Sequence, residues 1–262
     1  MFPLKDDIPP RRFPVLTVAI IALNVVVFFA FQLDTLSFSG ATIKDDQAIE
    51  YGAIPYELAH PGEDCVLEQG EQTPTCPAGG TSEAPDDQGL APWWVTIFTS
   101  MFMHGGLLHL LGNMLFLWIF GNNIEDSMGK PRFVAFYLLG GVVALAAQTV
   151  IEPSSAVPTI GASGAVAAVL GGYALLYPRA RITTLLIIVF FATVIQLPAL
   201  AVLGLWFVMQ LVLGAFDPGQ FEGGGVAYFA HIGGFLFGML VIKLFANRVH
   251  EDYEAAHRTP VY

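Results

Sequence analysis

"RITTLLIIVFFATVIQLP", residues 181–198, decides the fold, because it is apolar enough to be read as a membrane span and its inclusion would invert everything after it. The chain around it is membrane-like throughout. Of 262 residues, 55% are hydrophobic and only 13% charged, with a mean hydropathy of +0.62, too apolar for a soluble domain. Runs long enough to cross a bilayer occur at 14–33, 104–122, 133–151, 161–177, 198–216 and 228–246. Six spans leave 181–198 as the open question, and charge arbitrates it. Lys5, Arg11, Arg12, Lys130, Arg132, Arg179, Arg181, Lys243, Arg248 and Arg258 then fall on one side, and only Lys44 falls on the other. A seventh span would carry Lys243, Arg248 and Arg258 outside, against the positive-inside rule. Residues 182–197 are therefore expected to be an interfacial or partly inserted connection, whose β-branched content suits irregular structure better than a helix.

The expected fold is an all-α membrane protein of six transmembrane helices, one domain over 1–262, with both termini cytoplasmic. The first span is too long for a signal peptide and no small-residue cleavage pattern follows it, so it is expected to stay. A long acidic external loop covers 34–92, and 247–262 form a cytoplasmic tail. The net charge of −11 is concentrated in that loop, which holds 12 of the 22 carboxylates and argues against nucleic acid as a partner. The loop also carries both cysteines, Cys65 and Cys76. On the oxidising side of a membrane such a pair is expected to form a disulfide, the alternative being two free thiols.

Polar side chains inside spans are costly, so each is a candidate for function, although many only bind neighbouring helices. Three stretches stand out. In "HGGLLHLLGN", His109 and Asn113 are four apart and share a helix face. His104 lies five before His109 and points elsewhere, so it is expected to tie down the loop entering the helix. "GASG" at 161–164 puts Ser163 at the start of the fourth span, and "AHIGGFLFG" at 230–238 puts His231 in the sixth. All three stretches lie near the external ends of their helices. Gly161, Gly164, Gly234 and Gly238 would let the fourth and sixth helices approach closely enough for a Ser163–His231 hydrogen bond.

A serine hydroxyl needs a base to be nucleophilic at neutral pH, and His231 can supply one. No Asp or Glu lies mid-membrane as an orienting third member, since Glu125, Asp126 and Glu152 sit at span ends. His109, Asn113 and backbone N–H groups at the start of the fourth helix are candidate oxyanion donors. Rival readings use the same residues. The three histidines could ligate a metal, yet no HExxH is present and no carboxylate lies beside them. A transporter relay would call for mid-membrane acids or an inverted repeat, and neither is visible.

With HxxxxHxxxN at 104–113, GASG at 161–164 and AHxxGxxxG at 230–238, in that order, the chain resembles the rhomboid family of intramembrane serine proteases over roughly 93–240. The resemblance implies Ser163 as nucleophile, His231 as base, His109 and Asn113 as the oxyanion hole, and Gly161, Gly234 and Gly238 as close-packing positions. It also implies transmembrane protein substrates cleaved near the external surface, with neither metal nor cofactor. A non-catalytic, client-binding relative is the rival. Two positions depart from the family pattern: Val95 and Thr96 stand where many rhomboids carry Trp-Arg, and Ala167 replaces an aromatic four residues after the serine. The expected location is the plasma membrane of a prokaryote.

Overall fold

The computed structural model describes residues 2–37, 40–66, 74–77, 91–188, 191–216 and 225–247. Most of the acidic stretch 67–90 and the tail after 247 therefore lie outside the described residues. The chain opens with strand β1 (Phe2–Lys5), and α1 (Val15–Val27) runs on through a wider π turn to Gln32. The segment after the first span holds β2 (Leu33–Ser37), β3 (Gly40–Ile43), α2 (Asp45–Tyr51) and α3 (Pro55–Ala59). Then follow α4 (Trp93–Thr99), α5 (Leu107–Phe116), which continues through a π turn into α6 (Asn122–Met128), and α7 (Lys130–Ile151). The remainder is α8 (Ser163–Leu176), β4 (Arg181–Ile188), β5 (Phe191–Pro198), α9 (Ala199–Phe216) and α10 (Tyr228–Phe245).

Among the described residues, five helical runs are long and apolar enough to cross a membrane: Val15–Gln32, Leu107–Met128, Lys130–Ile151, Ala199–Phe216 and Tyr228–Phe245. The chain is an integral membrane protein with a helical bundle. The expected span at 161–177 is shorter than its apolar run. Gly161 adopts φ +125°, a left-handed conformation that ends helical continuity, so α8 begins only at Ser163 and has 14 residues. At 1.5 Å per residue it is about 21 Å long, less than a hydrocarbon core. Such a helix fits only at the centre of the bundle, and residues 164–174 are buried without exception.

Residues 181–198 correct the expectation of irregular structure. They form an antiparallel hairpin, with β4 and β5 paired from Arg181↔Pro198 to Ile188↔Phe191, and β1 adds to β4 to give the order β1–β4–β5. The β-branched run that disfavours a helix satisfies its backbone by a ladder instead. The sheet is tied to the bundle through the N-terminal segment. Asp6 accepts hydrogen bonds from Tyr173 Oη at 2.7 Å and Asn123 Nδ2 at 2.6 Å, and Asp7 accepts from the Arg181 backbone N–H at 2.9 Å. Glu125, a span-end residue in the sequence, is buried; its carboxylate accepts from the backbone N–H groups of Leu16 and Thr17 and from Thr17 Oγ1, capping the start of α1.

The segment between α1 and α4 is also more structured than a loop where it is described. Cys65 and Cys76 are joined by a disulfide, and Ala53 forms a β-bridge with Thr159. This bridge fastens the segment to the chain that leads into Ser163.

Candidate active site

Ser163 is the first residue of α8, and Gly161 sets what stands beside it. The Gly161 N–H donates to the Ser100 carbonyl at 2.8 Å. A Cβ built on Gly161 would meet His109 Nε2 at 2.9 Å and Ser163 Oγ at 3.5 Å, so one small residue is wedged between imidazole and hydroxyl. The His109 ring is oriented from its other side, where Nδ1 accepts the backbone N–H of Gly105 at 3.3 Å. A neutral ring accepting at Nδ1 carries its proton on Nε2. The nitrogen facing Gly161 and Ser163 is thus a donor.

Asn113 lies one turn further along α5, is 7% exposed, and its Nδ2 has no hydrogen-bond partner. An unpaired buried amide is costly, so Asn113 Nδ2 is a donor free to take an acceptor. His104 precedes α5. Its backbone N–H donates to Gln32 Oε1 at 2.9 Å and its carbonyl accepts from Gln32 Nε2 at 3.1 Å, so the end of the first span pins the loop entering the helix. The His104 ring packs edge-on against His109, centroids 5.2 Å apart, and both its nitrogens lack partners.

The second side of the site comes from α10. A Cβ on Gly234 would lie 2.2 Å from the Gly164 carbonyl oxygen, and one on Gly238 would lie 1.9 Å from that of Ala168. The reciprocal Gly171 would meet the Phe235 carbonyl at 2.0 Å. Helices α8 and α10 therefore touch backbone to backbone, as small-residue packing in membranes allows. His231 sits three residues before Gly234, at the same end of this contact as Ser163. Among the described residues, no hydrogen bond joins Ser163 Oγ to His231. The helices meet, and the dyad hydrogen bond expected from the sequence is not formed.

His231 instead has a partner that the sequence analysis missed. Its Nδ1 lies 2.8 Å from Oε1 of Gln210 on α9, and Gln210 is 5% exposed. The ring donates at Nδ1, which leaves a lone pair on Nε2. The two histidines thus take opposite tautomers. Trp206, four residues before Gln210 and on the same face of α9, holds its ring 5.8 Å from that of His231 at 37°. It supplies the aromatic contact that Ala167, fully buried in α8, does not. Gln210 was findable, since it is the only polar side chain among the aliphatic and aromatic residues of Ala199–Phe216, where a polar residue marks function by default.

Thr96 faces inward from α4, its hydroxyl donating to the Trp93 carbonyl at 2.8 Å. No group of three or more His, Cys, Asp or Glu suited to a metal occurs among the described residues.

The Rhomboid domain family profile matches residues 91–248, more than half of the chain. Similar proteins include presenilin-associated rhomboid-like protein A, mitochondrial, of Danio rerio, 32% identical over 148 residues that make up 55% of this chain and 35% of that protein. Rhomboid protease GluP of Bacillus subtilis is 29% identical over 164 residues, 63% of this chain and 24% of that protein. Rhomboid protein 1, mitochondrial, of Saccharomyces cerevisiae is 31% identical over 151 residues, 56% of this chain and 40% of that protein. The alignments span less than half the length of each relative. Mitochondrial relatives beside a bacterial one leave the expected prokaryotic plasma membrane without support. With the family profile running from the helix before His104 to beyond the end of α10, this chain belongs to the rhomboid family.

Proposed function

We propose that the chain is an intramembrane serine endopeptidase that cleaves transmembrane proteins near the external surface. The observation that carries this reading is the pair of opposite histidine tautomers flanking the Ser163 end of α8. His109 is held by the Gly105 N–H as an Nε2 donor, and His231 is held by Gln210 as an Nε2 acceptor. A hydrolase needs one donor and one base at a serine, and each ring is wired for one of those roles.

In this mechanism His231 Nε2 takes the proton as Ser163 Oγ attacks the scissile carbonyl, and Gln210 keeps the resulting imidazolium oriented through Nδ1–H. Charge developing on the carbonyl oxygen is met by His109 Nε2–H and Asn113 Nδ2. The imidazolium returns its proton to the leaving amine, and a water activated by the same base releases the acyl group. The unformed Ser163–His231 bond fits a resting site, since such bonds tighten when substrate fills the site. In the topology that goes with this reading, α8 acts as the short fourth of six spans and both termini are cytoplasmic. Every step uses side chains of the chain itself, so neither cofactor nor metal is invoked.

Proteoliposomes carrying the protein and a single-span model substrate, with and without EDTA, test the reading against Ser163→Ala. Cleavage that survives EDTA and is abolished by Ser163→Ala is expected. No cleavage by the intact protein under any condition would favour a client-binding relative, and EDTA-sensitive cleavage indifferent to Ser163→Ala would favour a metal.

A further inference from the structure

The β1–β4–β5 sheet sits at the end of α8 away from Ser163, and its two faces differ. Directly opposed residues of antiparallel strands project from the same face. One face meets the bundle: Ile182 and Thr184 are fully buried, and Leu197, opposite Ile182, packs against the core. The other face can be read in rows from root to turn. Lys5, Thr183 and Gln196 form the first row, Phe2, Leu185 and Val194 the second, and Ile187 with Ala192 the third. Phe2 is 56% exposed, Ile187 53% and Val194 57%.

No described residue buries Phe2, Ile187 or Val194, and no residue from Ile182 to Leu197 is charged. The cations gather at the root instead. Lys5 and Arg181 are both exposed there; the nearby acids Asp6 and Asp7 are engaged by Tyr173 and Asn123 and by the Arg181 N–H.

We propose that this outer face lies on the lipid leaflet at that end of the bundle, with its apolar rows at the acyl-chain boundary and its charged root at headgroup level. Its polarity pattern suits this occupant: an uncharged apolar patch favours the boundary, and a root that carries Lys5 and Arg181 beside Asp6 and Asp7 favours the hydrated headgroups. The edges of the sheet fix the depth. β1 and β5 are outermost in the strand order, so each has one side without a ladder, and open edges are excluded from hydrocarbon but satisfied at headgroup level. The inference is independent of the protease reading, because it concerns the opposite end of the molecule and its readout is not cleavage.

Cys65 and Cys76, the only cysteines, are joined to each other, so a single introduced thiol can be labelled cleanly. Val194→Cys, Ile187→Cys and Gln196→Cys, each carrying a polarity-sensitive NBD group, are compared at one protein per phosphatidylcholine–phosphatidylglycerol nanodisc. The expected result is blue-shifted emission at 194 and 187, iodide quenching several-fold weaker there than at 196, and quenching by nitroxides on the first acyl carbons. Equal iodide quenching at all three sites, with no response to lipid-borne nitroxides, would overturn the proposal. Protection at 194 that appears only with two or more copies per disc would also overturn it, replacing lipid by a second copy on the β5 edge.

Discussion

Replacing Gln210 by Leu removes the one acceptor of the His231 Nδ1–H while keeping an apolar side chain of similar length in α9. The change is isolated, because the contact is a single 2.8 Å bond at a residue only 5% exposed. It leaves a buried donor unpaired, at a cost of about 1–3 kcal/mol. The ring then escapes that cost by moving its proton to Nε2 or by rotating, and either response withdraws the lone pair that Ser163 needs. If the whole penalty falls on the transition state, kcat drops by about 5- to 150-fold. KM should hold, since Gln210 acts through His231. Gln210→Glu keeps an oxygen acceptor at the same place and should recover most of the rate. The assay is turnover of a single-span substrate in proteoliposomes, with thermal melting to confirm that each variant is folded. A folded Gln210→Leu protein with full kcat, or one whose loss lies wholly in KM, would refute the reasoning and reduce the glutamine to interhelical packing.

Asn113→Ala removes one candidate oxyanion donor and should slow kcat by about 100- to 1000-fold without abolishing it, measured against Ser163→Ala as the zero. Gly238→Ala would place a methyl 1.9 Å from the Ala168 carbonyl oxygen and should destabilise by at least about 1–3 kcal/mol in a detergent melt, whereas Gly112→Ala, with nothing within 4 Å of its Cβ, should be neutral or slightly stabilising. Burial pushes the Asp6 carboxyl up to about 6, with the Tyr173 and Asn123 hydrogen bonds opposing the shift. Because the folded state binds this proton more tightly than the unfolded chain, the contribution of Asp6 to stability is full below pH about 4 and is lost as pH rises through about 6; Asp6→Asn should remove that component of the slope in melts across pH 4–8. Cys65→Ser with Cys76→Ser should loosen the external segment by roughly 2–3 kcal/mol, lowering turnover of a large substrate while Ser163 still labels with a small fluorophosphonate.

The long helices were legible in the sequence because hydropathy over some twenty residues is a sum, insensitive to any one position. What the sum hides are local backbone events. The apolar run 161–177 gives no sign that the helix starts only at Ser163; that depends on the left-handed Gly161 and its N–H bond to Ser100. The hairpin at 181–198 was half legible: the β-branched residues argued against a helix, but pairing with Phe2–Lys5 joins residues as far apart in the chain as Phe2 and Leu185. In the candidate site, His109, Asn113, Ser163 and His231 carry spacing signals. Gln210 carries none, being joined to His231 only by the packing of α9 on α10.

That packing is unequal to the rest of the bundle. Helix α10 is locked to α8 by glycine-to-carbonyl contacts that leave no room to slide, while α9 has few buried positions, Val202, Leu203, Gln210 and Gly214 among them. Any outward swing of α9 that opened a doorway from the bilayer would carry Gln210 and Trp206 away from His231. The orientation of His231 thus depends on α9 staying docked, because a helix with few buried positions carries both the acceptor and the ring that hold it.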